Sequence, residues 1–225
     1  MDISILIPTM HSRRTLFEEV LKEVRRQIAE VPIRVEVLWE SDNGELTLGQ
    51  KRNVLVDRCK GTYHCFIDDD DVLAPYFLKT FVPMIQSGVD YDCASFLGAH
   101  YERGRFNKLF YHSMDVPEWV ETPERFLRSV SPMNMIKTSI VREVRYKDIR
   151  KTEDHEFSKR LMASGLLKTE FKIPNRPVYH YIDAVKSDRT VWKYVWNGDY
   201  IQLYPDIPAS SFTWGYSTSV GGNVF

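Results

Sequence analysis

The chain has 225 residues, 43% hydrophobic, 13% aromatic and 27% charged, which excludes disorder and supplies apolar surface for a full core without disulfide or metal staples. Thirty Lys and Arg against 31 Asp and Glu leave a net charge of −1, so the global positive field of a dedicated nucleic-acid binder is absent. Cys59, Cys65 and Cys93 lack CxxC spacing and sit among apolar residues, which points to buried free thiols in a reducing compartment. The opening MDISILIPTM carries no basic leader and no run of 18 apolar residues follows. The expectation is a cytoplasmic protein without a transmembrane segment.

Residues 3–7 are a β-branched run stopped by Pro8-Thr9, the pattern of a buried parallel strand feeding a loop. Thr15 and Glu18 have capping-box spacing, and Leu16, Phe17, Val20, Leu21, Val24 and Ile28 recur at helical intervals, predicting a helix to about Glu30. A second strand over 34–39 completes a β-α-β unit. The turn-rich ESDNGELTLG leads to a helix over 50–59 closed by Gly61, then to an apolar strand over 63–67 that runs into Asp68, Asp69, Asp70 and Asp71. A helix over about 75–84 and a strand over 91–97 continue the alternation of an α/β sheet covered on both faces. Beyond it the pattern predicts a hairpin about Gly104, a short helix opened by Thr122-Pro123-Glu124, and a helix starting at Glu153-Asp154 and closed by Gly165. Two more strands are expected over 168–173 and 177–182, and the Gly-, Ser- and aromatic-rich residues 206–225 form a tail.

Four consecutive aspartates repel one another at neutral pH unless a cation or several donors compensate them. Placed at the carboxyl end of a strand, where open α/β sheets bind ligands, they point to Mg²⁺ or Mn²⁺ held together with substrate phosphates. The competing account is a solvated acidic loop capping the next helix; an EF-hand is excluded because its glycine position falls on Leu73. Glu153-Asp154 is a second acidic site. Acids favour any first helical turn, yet beside a metal-held phosphate ester a separate carboxylate is what transfer onto a hydroxyl requires. Arg52 is a candidate to contact a diphosphate or a site carboxylate, and His180 to complete the metal's coordination. Six basic residues (Lys137, Arg142, Arg145, Lys147, Arg150, Lys151) against Glu143 and Asp148 are either an ordinary solvated face or a contact for a polyanionic acceptor.

The order of these motifs resembles the family 2 glycosyltransferases of the GT-A fold from Ser4 to about Ser187. ISILIPT with its helix, LWESDNG, KRNVLVDRCKGTYHCFIDDDDVL and TEDHEFSKRLMASG carry the likeness. The third is the most specific, joining an Arg-Asn pair, a glycine-ended helix, an apolar strand and a D-x-D-D-x-L string. The resemblance implies one GT-A domain over 1–205 with a mostly parallel sheet covered by helices, in which 1–100 bind the nucleotide sugar and 101–205 the acceptor. It implies that Pro8 and Thr9 line the base, with Glu40 and Asp42 near base or ribose. Asp68 and Asp70 take the D-x-D positions, with both on the metal, Asp70 the better candidate, and Asp68 and Asp69 on the nucleotide sugar. Asp154 matches the catalytic base of inverting members, with Glu153 beside it. PVYHYIDAVKS is similar to a late strand and loop that can supply a third metal ligand or a phosphate contact, although Ile182 and Ala184 replace the family's arginine and histidine.

The expected function is a metal-dependent inverting glycosyltransferase moving a sugar from a nucleotide-diphosphate donor, with uridine the expected nucleotide, to an acceptor hydroxyl. The acceptor is open: a saccharide, a small molecule, or a hydroxylated base in DNA met by the 137–151 stretch, for which Arg103, Arg105 and Lys108 are further contacts. The alternatives are a nucleotidyltransferase or nucleotide-sugar hydrolase of the same fold, separated by whether phosphorus is attacked, and a binding module without catalysis. Trp192, Trp196 and Trp214 are candidates to stack on sugar rings or to pack in the core.

Overall fold

The computed structural model describes residues 1–183 and 193–204. Strand β1 (Ile3–Met10) is buried from Ile3 to Thr9, as an unbroken β-branched run requires of a strand covered on both faces. It pairs in parallel with β2 (Val35–Asp42) on one side and β3 (Tyr63–Phe66) on the other. Between these strands run α1 (Arg14–Ile28) and α2 (Leu48–Arg58). Helix α1 is entered through a 3-10 turn at His11–Arg13, and the expected Thr15–Glu18 box does not form because Arg14 is already helical and takes Glu18 at 2.7 Å. The capping box lies at α2 instead. Gln50 N donates to Thr47 Oγ1 at 3.1 Å and Thr47 N donates to Gln50 Oε1 at 2.9 Å, which starts that helix earlier than the apolar spacing alone suggests.

After β3 come β4 (Val72–Leu73), α3 (Phe77–Gln86), β5 (Cys93–Ala94), β6 (Phe96–Glu102), β7 (Arg105–His112), β8 (Val120–Glu121), β9 (Arg125–Arg128) and β10 (Ile136–Lys137). The remaining elements are α4 (Thr138–Val144), α5 (Glu153–Ser164), β11 (Glu170–Phe171), β12 (Tyr179–Asp183), β13 (Lys193–Asn197) and β14 (Tyr200–Tyr204). The central sheet runs β11-β5-β10-β3-β1-β2, with β10 antiparallel to both its neighbours. Ile3, Ile5 and Ile7 meet Val20 and Val24 of α1 and Phe77 and Phe81 of α3. On the other face Leu6 meets Leu55 and Val56 of α2, Ile140 and Val141 of α4, and Phe157 and Leu161 of α5. This is the expected α/β sheet with helices on both sides, and its three cysteines are buried and free.

A second six-stranded sheet, β4-β12-β6-β7-β9-β8, was not legible in the sequence pattern. Its β6–β7 hairpin turns at Arg103 and Gly104, with φ of 50° and 78°, the pair of left-handed residues that a tight hairpin needs. The short helix expected after Thr122 is instead the β8–β9 turn. Arg125 N donates to Thr122 Oγ1 at 3.0 Å and Thr122 N donates to Arg125 O at 2.8 Å, closing the chain on itself before a helical turn can begin. The β13–β14 hairpin packs Ile201 and Leu203 against Val72, Ala99, Tyr101 and Ile182. Lys186 in the PVYHYIDAVKS segment, the stacking candidates Trp192 and Trp214, and the tail over 206–225 lie outside the described residues. Among the described residues no helix is long and apolar enough to cross a membrane.

Candidate active site

The site is built at the carboxyl ends of β1, β2 and β3. Register sets Pro8 beside Glu40 and Met10 beside Asp42, and Ile67 N donates to Leu6 O at 3.0 Å, so the aspartate run leaves the sheet next to the end of β1. The four carboxylates then divide. Asp69 and Asp71 turn inward, with side chain or residue only 2% and 4% exposed, while the side chains of Asp68 and Asp70 stay 35% and 42% exposed. Thr9 Oγ1 donates to Asp69 Oδ2 at 2.5 Å; Tyr179 Oη donates to Asp71 Oδ2 at 2.8 Å, and Ile182 N to Asp71 Oδ1 at 3.0 Å. The same Tyr179 oxygen accepts from Asp68 N at 3.1 Å. The inward pair therefore holds the loop, and the outward pair, in D-x-D spacing, faces solvent.

Two arginines answer this charge. Arg13 from the 3-10 turn pairs with Asp69 at 2.8 Å and with Asp70. Arg52 of α2, its side chain 5% exposed, bridges Glu153 at 3.3 Å and Asp68 at 3.6 Å, lies 4.6 Å over the Phe66 ring, and leaves its Nη1 without a hydrogen-bond partner. Compensation is incomplete. Burial pushes the Asp69 carboxyl up to about 6 against the opposing pull of Thr9 and Arg13. Burial also raises Asp68 against Arg52, with Asp70 and Asp154 adding to the rise, and it raises Asp71, where Asp70 and Asp68 again add.

Glu153 and Asp154 open α5, whose N-cap Thr152 is left-handed at φ 60°, a strained position for a residue other than glycine. Glu153 is buried and spent on Arg52, its carboxyl raised by burial. Asp154 is half-buried and accepts from His155 N at 2.8 Å. Its charge acts on both Asp68 and Arg52, so the two acidic sites, separate in sequence, meet through Arg52.

The other expected residues fall as follows. Pro8 and Thr9 are buried, with Thr9 O also accepting from Lys51 Nζ at 2.5 Å. Glu40 pairs with Arg58 at 2.8 Å. Asp42 pairs with Lys51 and accepts from Gly44 N and Leu46 N at 2.9 and 2.7 Å, so it shapes the β2–α2 loop. His180 does not join the aspartates. Side chains alternate along β12; Tyr179 takes the aspartate side, and His180 faces Tyr101 Oη at 3.3 Å and the Trp196 ring at 5.1 Å. Its imidazole is kept neutral by burial, down to about 3. Among the described residues no group of three or more His, Cys, Asp or Glu converges as a ready-made metal cage. The basic stretch is largely spent internally: Lys137 pairs with Asp90, Arg145 with Asp57 and Lys147 with Glu156. Arg142 donates to Val56 O and Cys59 O, and Arg150 to Gly44 O.

The sequence pattern of Glycosyl transferase family 2 matches residues 18–145, more than half of the chain. The chain belongs to glycosyltransferase family 2. A Methanocaldococcus jannaschii protein described as an uncharacterized glycosyltransferase is 24% identical over 202 residues, 84% of this chain and 66% of that one. The structure of S. aureus TarS 1-349 in complex with UDP-GlcNAc superposes with a TM-score of 0.55 at 16% identity over 82% of this chain and 59% of that chain. A further structure of TarS 1-349 gives 0.52 at 15% identity over 81% and 60%. These likenesses establish the GT-A fold, and this family 2 chain spans about 60% of the length of the solved chains it matches. Arg13 and Tyr179 are the site residues that sequence reasoning missed. The excess of carboxylates called for counter-charges, and the cationic HSRR after β1 was the nearest supply; nothing local marked Tyr179, which reaches its aspartate from 108 positions away.

Proposed function

We propose that this chain transfers a sugar from a nucleotide-diphosphate donor to an acceptor hydroxyl, with a divalent cation and inversion at the anomeric carbon. The observation that carries the reading is the charge imbalance: six carboxyl groups (Asp68 to Asp71, Glu153, Asp154) gather about two guanidinium groups, Arg13 and Arg52. An anionic diphosphate would not enter such a cluster without added positive charge. Asp68 and Asp70 offer exposed hard oxygen ligands, and Mg²⁺ or Mn²⁺ is commonly held by one or two carboxylates plus substrate phosphates, so the residues fit the ion. Bound there, it would neutralise charge developing on the departing diphosphate.

The chain's own residues divide the remaining work. Arg13 and Arg52 add fixed positive charge at the leaving group, the Nη1 of Arg52 having a donor to spare. Asp154 accepts the proton of the acceptor hydroxyl while the hydroxyl oxygen bonds to the anomeric carbon from the face opposite the breaking bond to the diphosphate. Glu153 anchors Arg52, and Asp69, Asp71 and Tyr179 keep the loop in shape. UDP-GlcNAc, the ligand of TarS in its solved complex, is the first donor to try.

Titration calorimetry with UDP and UDP-GlcNAc, with Mn²⁺ and with chelator, tests the donor half. Affinity should require the cation and collapse in Asp70→Ala; affinity indifferent to both removes the reading. Asp154→Asn should keep donor affinity while turnover falls by about 10²-fold or more, and undiminished turnover would remove the base assignment.

A further inference from the structure

We propose that the second sheet carries the acceptor subsite: a belt of aromatic rings closed by the Arg128 guanidinium, which takes a saccharide bearing an anionic group, phosphate or carboxylate. The proposal rests on the glycosyl-transfer reading above. Tyr181 of β12, 37% exposed, stacks on His100 of β6 with centroids 5.4 Å apart and planes at 15°. His100 meets Phe126 of β9 edge-on at 5.3 Å. The Arg128 guanidinium lies 5.0 Å over Phe126 and 4.8 Å over Trp119, and Trp119 meets His155 of α5 at 4.6 Å. Register explains the alignment, since Tyr181 pairs with His100 and Phe126 and Arg128 share one face of β9.

The belt joins the two halves of the active site. At one end Tyr181 immediately precedes Ile182, whose amide donates to Asp71 at 3.0 Å. At the other, His155 is the chain neighbour of Asp154, the base. A saccharide laid along it would therefore bring a hydroxyl between the donor carboxylates and Asp154. Its faces would stack on Tyr181 and Trp119, which are only partly buried, while Phe126 already carries Lys108 at 4.7 Å as well as Arg128.

Arg128 selects the charge. Its Nη1 donates to Val120 O and Leu127 O at 3.2 and 3.1 Å, while Nε and Nη2 make no hydrogen bond and no carboxylate lies within ion-pair distance among the described residues. Burial works against its charge, and Glu121 and Asp154 offset this only from a distance. Beside it the Trp119 Nε1 donor is buried without a partner. A half-buried guanidinium fork with free donors, set between two rings, is complementary to a phosphate or carboxylate. By contrast, the 137–151 stretch has mostly satisfied its charges internally.

The test uses the full chain without nucleotide. Ligand-observed NMR would measure binding of glucose 6-phosphate, glucuronate, methyl glucoside and inorganic phosphate, and calorimetry with UDP on the same samples would report the donor site and folding. At least one of the two anionic sugars should bind about tenfold or more tightly than the neutral glucoside; which one does distinguishes phosphate from carboxylate. Arg128→Gln should erase that preference, and Trp119→Ala should weaken the sugars while UDP affinity stays. If Arg128→Gln also loses UDP binding, Trp119→Ala alone carries the test, because its ring holds no backbone carbonyl. The proposal is overturned if neither anionic sugar binds, if the neutral sugar binds as well, if inorganic phosphate matches glucose 6-phosphate, or if the variants that retain UDP binding bind the sugars as the parent does. Loss of UDP and UDP-GlcNAc binding by the parent, with the sugar preference intact, would instead sink the donor reading and leave this site standing.

Discussion

Arg52→Met tests whether one guanidinium joins the two acidic sites. The side chains of Arg52 and Glu153 are 5% and 4% exposed and lie 3.3 Å apart, and breaking such a buried pair from one side costs about 3–5 kcal/mol. Asp68, at 35% exposure, can rehydrate, and methionine keeps contact with Phe66, so the lower end, about 3 kcal/mol, is expected. In a chain of this size that lowers Tm by roughly 6–12 °C. The deficit should depend on pH. Burial already holds the Glu153 carboxyl above its ordinary 4.5 against Arg52, and without Arg52 it rises further. A carboxyl raised in the folded state favours folding while neutral, below its unfolded value, and loses that contribution as pH climbs through the folded value. The variant should therefore approach the parent near pH 4–5 and fall furthest behind near pH 8. Urea denaturation of Arg52→Met, Glu153→Gln and the double variant at both pH values checks it, with the double variant recovering about 2 kcal/mol at pH 8. A deficit that ignores pH, or additive single losses, would refute the bridge.

Asp42 is held down at about 2 although burial opposes it, because Lys51 and the Leu46 and Gly44 amides outweigh that opposition. Its contribution is present above the ordinary 3.8 and lost as pH falls towards 2. Asp42→Asn should accordingly cost about 2 kcal/mol at pH 7, the gap from the parent closing between pH 4 and 2 in guanidinium melts. Tyr179→Phe removes the hydroxyl that serves Asp71 and the Asp68 amide and should cost about 2 kcal/mol in urea denaturation; no measurable loss would show that the loop is held some other way. A Cβ at Gly49 would stand 1.9 Å from the Lys147 carbonyl oxygen, so Gly49→Ala should force α2 away from residues 147–149 and lower Tm by several degrees in calorimetry.

The stretch from β1 to the aspartates and the later helix α5 were legible because their signals are local. The β-branched run of β1, the helical periodicity of α1 and α5 and the apolar strand ending in aspartates each lie within one stretch of chain. The second sheet was not, since a strand as short as β4 exists only through its pairing with β12 far along the chain, and the Thr122-Pro123 signal serves a turn as readily as a helix cap.

The sequence by itself determined that a cluster of carboxylates stands at the end of a buried strand and a second acidic pair at the start of a late helix. Only the tertiary structure decided which carboxylates face out. Thr9 and Tyr179 claim Asp69 and Asp71 across 60 and 108 positions, leaving Asp68 and Asp70 exposed. Strand alternation sends His180 to the opposite face, and burial of Arg52 joins Asp68 to Glu153. The reason is that a carboxylate's role depends on the donors and cations that reach it and on its access to water, and those neighbours come from the pairing of distant segments.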